Sequence, residues 1–568
     1  MSNFYTENRK FYCRWFDLEE VVRHLESNFE SHDADTLHSY QEAQRWYEMI
    51  LDNAGAICAD FIAPRAEAVD HQGASFDHGV VRWAPETVEN MKVLSQGGYM
   101  GGTLPRSYGG LNLPGFIHNI IVEMVSQADA SLMNLFGLQD IAVTLLKFGT
   151  EEQKDRILPR FARGEISGAM ALTEPEAGSD LQAVELKAIE KEGQWYLNGV
   201  KRFITNGCGN VSLVLARSES GSKGAKGLSM FLYERDRDDN LVIRRIEEKL
   251  GIHGSPTCEL QFNNARAELV GKRKFGLIKY VMSLMNGARL SVSYQALGIA
   301  QAAWNEAVKY AHEREQFGEK IVKFPAVYQM LSKMQAQIET TRVLLYHTSW
   351  VIDRMEMLEK QENEGMDVKK SLREVSNLAN FLTPLSKFTA SEMANQAAYD
   401  SMQIHGGCGF MKDFPVERLY RDARITNIYE GTTQLQVVAA IGSITAHLLD
   451  AEWQKLKELK LNELIQEQQR IIDFTDRFNQ VIDRIKTVND KEWSEYTANY
   501  LVESASILYR MALYLPIADA HPVKRELFGF FMAESEARID YLFRLIAIME
   551  EKYGASISRL KTDLHILS

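Results

Sequence analysis

Cysteine is scarce and scattered, with five in 568 residues at Cys13, Cys58, Cys208, Cys258 and Cys408. No two stand in a CxxC spacing, so neither a metal site nor a disulfide framework is expected. The pattern suits a reducing compartment, and a cytoplasmic location is the expectation. Proline is sparse too, twelve in all, which favours long helices because proline interrupts them. Positive charge is outweighed, Lys plus Arg 64 against Asp plus Glu 77 for a net charge of −13. That balance argues against a nucleic-acid surface, which needs clustered base, and against general affinity for anionic lipid. No run of about 18 apolar residues is present, so no transmembrane segment is expected. The first twenty residues, MSNFYTENRKFYCRWFDLEE, have no apolar core of the kind a secretory signal carries.

What is present is the composition of a folded protein, 45% hydrophobic and 25% charged. At roughly 150 residues per domain the length allows three to four domains. Residues 1–165, an N-terminal extension and helical domain, are mostly helical in pattern, with apolar residues at helical spacing over Leu37–Asp60 and a buried run at Phe116–Leu132. The glycine-rich stretch Gly97–Gly115 connects them. Over 166–274 the pattern changes: Trp195–Ile204, Val211–Ala216, Leu228–Tyr233 and Leu260–Phe262 are short β-branched or aromatic runs between Gly, Asn and Asp, an antiparallel β domain. Helix returns over 275–449, where Val327, Leu331, Met334, Ile338 and Leu345 share one face and Glu356–Ser371 reads as a charged break. Residues 450–568 form an appended helical module, its amphipathic stripe running from Leu461 through Ile471, Phe478 and Ile482 to Ile485. The fold class is α+β: helical N-terminal domain, antiparallel β middle domain, helical-bundle C-terminal domain, and appended C-terminal helices.

Four segments carry chemistry. Ala171–Asp180 (ALTEPEAGSD) is followed by Gly199–Gly207 (GVKRFITNG); Thr173, Ser179 and Thr205 offer hydroxyls, and the Ala177-Gly178-Ser179 turn offers backbone N–H groups for a phosphate or a heteroaromatic edge. On its residues alone the first segment reads first as a helix-to-sheet connection. Gln403–Phe410 (QIHGGCGF) lets backbone approach a ligand closely, but no βαβ pattern follows it. In Arg421–Gln434 (RDARITNIYEGTTQ), Glu430 follows an apolar pair; desolvation would raise its pKa toward that of a general base, while a helix-capping role for the segment fits equally well. In His312–Gly318 (HEREQFG), Arg314 suits a phosphate or a surface ion pair with a neighbouring Glu.

Read in order, these segments resemble the acyl-CoA dehydrogenases over roughly residues 50 to 449. The resemblance implies FAD lying between the middle and C-terminal domains, an oligomer in which FAD spans two subunits, an acyl-CoA substrate, and an electron-transfer flavoprotein as acceptor. It implies that Met170, Leu172, Thr173, Gly178, Ser179, Phe203 and Thr205 line the flavin, Thr173 and Thr205 bonding its ring. Ser179 meets both the pyrophosphate region and the bound thioester. Arg314, Gln316 and Phe317, with Gln403, Gly406 and Gly407, would bind FAD across the interface, and Thr432 and Gln434 from the base's own loop. Asn286, Arg289 and Gly431 would border the substrate. Glu430 matches the catalytic glutamate. Relatives that place the base elsewhere put it immediately before the equivalent of Arg289, and here that position is Ala288. The implied reaction removes the α-proton to Glu430 and the β-hydride to flavin N5, giving a trans-2-enoyl-CoA, with the thioester oxygen held by the backbone N–H of Glu430 and a ribityl hydroxyl of FAD.

The chain departs from the common pattern at Phe203, where Trp is usual, and at Pro325, where Gln is usual. Its length, with Leu250–Thr257 (LGIHGSPT) and Met285–Leu290 (MNGARL), resembles the longer subfamily that includes 3-methylmercaptopropionyl-CoA dehydrogenases. A homodimer is expected, the appended helices covering the face where tetrameric relatives dock a second dimer. The alternatives are an acyl-CoA oxidase using oxygen, distinguished by peroxide formation, and an inactive relative acting as a scaffold, distinguished by failure to take up FAD. A flavin monooxygenase or nitroalkane oxidase on this fold is disfavoured by the YEGT glutamate.

Overall fold

The computed structural model describes residues 2–30 and 36–553, so 554–568 of the appended segment lie outside the described residues. The chain divides into two compact units: Met1–Ala302 with Gly407–Glu430, and Ala303–Gly406 with Gly431–Ser568.

In the first unit, helix Tyr40–Ala56 starts at Ser39, whose side chain accepts from the Glu42 N–H, satisfying one of the free first-turn donors. It buries Ala43, Tyr47, Ile50, Leu51 and Ala54, a stripe at helical spacing. Helix Gly115–Ala128 is buried on every side from Phe116 onward, as its apolar run implies. It is followed by helix Ala130–Phe136, capped by the Asp129 carboxylate.

A small hairpin, β1 (Ser75–Asp77) and β2 (Val80–Arg82), precedes the main sheet. That sheet comprises β3 (Gly168–Ala171), β4 (Lys187–Lys191), β5 (Gln194–Thr205), β6 (Val211–Arg217), β7 (Leu228–Glu234), β8 (Leu241–Ile246) and β9 (Thr257–Val270). The order is β3-β6-β4-β5-β9-β7, with β8 on β9 and β6 also paired to β7, so the pairings close on themselves. The sheet is mixed rather than wholly antiparallel, because β3 and β4 both run parallel to β6. The connection after β3 is a long loop rather than a hairpin, which leaves its direction free. β7 is buried along its whole length, Ser229 and Glu234 included. Strands β3, β4 and β8 are too short or too polar to be separated from loop by pattern alone.

Helix Met282–Glu313 follows the sheet. In the second unit, helix Pro325–Asn363 has proline in its first turn, where the missing N–H costs nothing. The charged residues 356–363 continue this helix, so the break expected over Glu356–Ser371 narrows to 364–368 around Gly365 at φ +91°. Helix Lys369–His405 returns beside it. Helices Thr433–Thr445, Asp450–Glu458, Ile465–Val488, Lys491–Ala520 and Pro522–Tyr553 complete the unit. Helix Lys491–Ala520 packs against Pro522–Tyr553, Ile465–Val488, Thr433–Thr445 and Pro325–Asn363. It is the one described helix long and apolar enough to cross a membrane, and 78% of its apolar window is buried inside the protein, the placement of a core helix.

Candidate active site

Two stretches of the sheet meet at one place. After β3, Glu174 and Ala177 exchange both backbone hydrogen bonds, closing a tight turn that leaves Gly178, Ser179 and Asp180 exposed. The Arg202 N–H donates to the Thr173 carbonyl at 3.0 Å, laying this loop beside β5 at Phe203. Opposite Glu259, β5 carries two residues, Arg202 and Phe203, between the pairs Lys201↔Leu260 and Ile204↔Cys258. Such a bulge re-aims a side chain. Phe203 sits at φ +61° and is 52% exposed, with the Arg202 guanidinium 4.7 Å from its ring.

The base of this loop is built on buried polar groups that the sequence pattern did not reveal. Lys201, fully buried, donates to the Leu172 carbonyl at 2.7 Å and to Glu174 Oε1 at 2.8 Å. The Glu174 carboxylate also accepts from the N–H groups of Glu185 and Leu186. Burial pushes the Lys201 pKa down to about 8, the Glu174 charge opposing. Asn206, at φ +50°, donates through Nδ2 to Ser167 Oγ and to the Gly168 carbonyl, tying the end of β5 to the start of β3. Lysine is almost never fully buried without a partner, and in sequence Lys201 stands between Val200 and Arg202, which does not distinguish it from an exposed strand lysine.

Among the described residues the hydroxyls of Thr173, Ser179 and Thr205 make no hydrogen bond, nor do the N–H groups of Gly178, Ser179 and Asp180. Three successive free amides on an exposed turn suit an anion, and an exposed aromatic between two free hydroxyls suits a polar ring system. Met170 is half-buried and Leu172 buried beneath them. This donor set fits the flavin and pyrophosphate of FAD.

A second cluster of the same unit surrounds Glu430. On helix Met282–Glu313, Arg289 donates to Asn286 Oδ1 at 3.3 Å, while its buried Nε has no hydrogen-bond partner among the described residues. Burial lowers the guanidinium's pKa and the Glu430 carboxylate opposes that shift. Ala288 beside it is buried. The Tyr429 hydroxyl lies against both Asn134 Oδ1 and Gln295 Oε1, with its single proton shared between the two acceptors. Gln295 donates in turn to the Ala130 carbonyl and Asn134, and Asn134 to Ser255 Oγ. Burial drives the Tyr429 pKa far upward, so the network stays neutral. Earlier in the segment the buried Asp422 carboxylate accepts from the Ile252 N–H, and Arg421 pairs with Asp70 at 2.7 Å. Burial raises the Asp422 pKa to about 6, with Arg418 opposing. These contacts lock the residues before Glu430 in place. Glu430 itself lies at φ +54° and Gly431 at φ +90°, consecutive left-handed residues, a conformation costing a non-glycine about 1–2 kcal/mol.

In the second unit, Thr432 caps helix Thr433–Thr445 by accepting from the Leu435 N–H, and Gln434 is exposed. The capping reading of this segment therefore holds at Thr432. Glu315–Gln316 (β10) pairs with Glu319–Lys320 (β11) across Phe317 at φ +53° and Gly318 at φ +81°, a two-residue hairpin turn with both centres left-handed. The ion pair here is Glu315 to Lys320 at 2.7 Å; among the described residues the Arg314 side chain has no partner. Gln316 is exposed and Phe317 is 95% exposed. Gln403 is exposed at the end of helix Lys369–His405, and Gly406 ends that helix at φ +59°. A Cβ at Gly406 or Gly407 would meet nothing. Of the residues singled out in sequence, the structure gathers those of the β3–β5 loops together, and Asn286, Arg289 and Glu430 together.

Three family models match in succession: acyl-CoA dehydrogenase N-terminal domain over residues 45–165, middle domain over 169–265, and C-terminal domain over 278–441. A 3-(aryl)acrylate reductase of Clostridium sporogenes is 33% identical over 69% of this chain and 96% of its own. A 3-methylmercaptopropionyl-CoA dehydrogenase of Ruegeria pomeroyi is 33% identical over 70% of this chain and 72% of its own. Among solved structures, butyryl-CoA dehydrogenase of Megasphaera elsdenii matches with TM-score 0.60 at 31% identity, covering 70% of this chain and 97% of that one. A chain from the electron transferring flavoprotein study of Acidaminococcus fermentans matches with TM-score 0.60 at 33% identity, covering 72% and 98%. An acyl-CoA dehydrogenase of Bacillus anthracis, solved with FAD, has the same fold at TM-score 0.77 and 24% identity, covering 91% of each chain; that coverage must take in appended helices. The chain belongs to the acyl-CoA dehydrogenase family of FAD-dependent oxidoreductases.

Proposed function

We propose that this chain dehydrogenates an acyl-CoA thioester between Cα and Cβ to the trans-2-enoyl-CoA, with Glu430 as the base. The observation that carries this is the left-handed turn at Glu430–Gly431, a strained backbone of the kind found at functional sites. Ala288 has no proton acceptor at the other position the family uses. An α-C–H is too weak an acid for a carboxylate alone, so the thioester oxygen must be held by donors as negative charge develops. The Glu430 N–H is offered as one such donor, and the Glu430 carboxylate accepts the α-proton. Arg289 and Asn286 border the acyl thioester, and the Arg289 charge favours the ionised carboxylate before reaction. Thr173 and Thr205 hold the flavin ring, Phe203 covers it, and the free amides of 178–180 receive the pyrophosphate. When bound, FAD supplies the acceptor for the β-hydride.

The exposed hairpin tip of Arg314, Gln316 and Phe317, with Gln403, Gly406 and Gly407, completes the FAD site of a neighbouring subunit in a homodimer. Thr432 and Gln434 touch FAD from the base's own loop, and Gly431 the substrate. The acceptor of the electrons is an electron-transfer flavoprotein, a reading supported by the likeness to the Acidaminococcus chain, and the enzyme is cytoplasmic, in keeping with five free cysteines.

The test is an anaerobic visible spectrum during titration with short, long, branched, cyclic, aromatic and methylthio acyl-CoAs. Bleaching of the flavin band by one class establishes dehydrogenation and names the substrate class. Glu430→Gln should keep FAD and abolish bleaching; undiminished reduction by that variant would place the base elsewhere. Light scattering returning a tetrameric mass would refute the dimer.

A further inference from the structure

The strained turn that carries the base is held by a residue outside every segment singled out in the sequence. The Gly431 carbonyl accepts from Lys387 Nζ at 2.7 Å and from Gln436 Nε2 at 2.9 Å. Lys387 lies on helix Lys369–His405 and is fully buried, whereas lysine is almost never fully buried without a strong partner. A backbone carbonyl taking an ammonium proton forms a charge-assisted bond, about twice as strong as a neutral one. The oxygen so held belongs to the peptide that joins Gly431 to the helix cap Thr432. Only the φ and ψ of Gly431 separate that peptide plane from the Glu430–Gly431 plane. Glycine at φ +90° would otherwise be free to swing, because no Cβ restricts it. The far side of the turn is fixed as well, since the Thr433 hydroxyl donates to Glu392, also on helix Lys369–His405.

We propose that Lys387 is a positioning residue for the reaction: its ammonium pins the Gly431 carbonyl, and with Gln436 it holds Glu430 in the left-handed conformation that presents both its N–H and its carboxylate to the substrate. The inference rests on Glu430 being the base. Misplacement of a reacting group by about 1 Å costs about a hundredfold in rate. Loss of the pin therefore shows as slow chemistry and as poor recognition of the thioester oxygen, with the rest of the ligand bound as before.

The experiment compares FAD-loaded wild type with Lys387→Met and Gln436→Met in stopped-flow flavin reduction, using the acyl-CoA that bleaches the wild type fastest. It also compares binding of that acyl chain as a CoA thioester to Glu430→Gln backgrounds with binding of the matching alkyl-CoA thioether, which lacks the carbonyl. Lys387→Met is expected to retain FAD and to lower the limiting reduction rate about a hundredfold. It should weaken thioester binding about tenfold and leave thioether binding unchanged. A limiting rate within about threefold of wild type, or equal weakening of both ligands, overturns the proposal. Should Lys387→Met not fold, Gln436→Met decides. A slowing of about tenfold with thioether binding preserved supports the pin, and an unchanged rate overturns it. If no thioester reduces the wild-type flavin, the dehydrogenase reading itself falls and takes this inference with it, an outcome separate from a variant that matches a working wild type.

Discussion

Replacing Lys201 by Met is the sharpest probe of how the β3–β5 loops are built. Lys201 is fully exchanged from water for two acceptors, Glu174 Oε1 at 2.8 Å and the Leu172 carbonyl at 2.7 Å. Met fills the same volume but donates nothing. Glu174, itself buried, would keep only the N–H groups of Glu185 and Leu186, and a charge left without its counter-ion costs about 3–5 kcal/mol. Adding Glu174→Gln removes the stranded charge, and the amide oxygen still accepts from one of those two N–H groups, which bond to different oxygens of Glu174, so the larger part of the loss should return. The assay is thermal release of flavin fluorescence from FAD-loaded protein, with FAD content on purification as the second readout. The single variant should melt about 5 °C or more below wild type and lose FAD; the double variant should recover more than half of the difference. A single variant that melts with wild type, or a double variant that falls as far as the single, would refute a bracing role for the pair.

Two further outcomes follow from the same geometry. Burial raises the Asp422 pKa to about 6 from its ordinary 3.8, so the folded state holds this proton more tightly than the unfolded chain; the contribution is fully present below about pH 4 and is lost as pH rises through 6. Asp422→Asn, which keeps an acceptor for the Ile252 N–H, should therefore flatten the stability profile between pH 4 and 6 by up to about 3 kcal/mol, and an unchanged slope in urea melts would contradict this. Phe203 is half exposed on its bulge, so Phe203→Ala should change stability of the FAD-free protein by less than about 1 kcal/mol while shifting the visible spectrum of bound flavin; unshifted bands would remove the ring from the flavin's surroundings.

The sequence by itself determined the element types and the order of domains. Long helices followed from sparse proline and sustained apolar periodicity, and buried strands such as β6 and β7 from short β-branched or aromatic runs, because each property is local to its segment. Motif order was equally local, and it marked the family. Tertiary structure decided everything that depends on residues distant in sequence. The parallel seats of β3 and β4 on β6 depend on a loop whose course no period records. The bulge that exposes Phe203 depends on the register against β9. Lys201 with Glu174 and Tyr429 with Asn134 and Gln295 are pairings over long stretches of chain, as is Lys387 with Gly431. A buried polar group looks like any other polar residue in one dimension; only the fold shows which acceptor makes its burial tolerable.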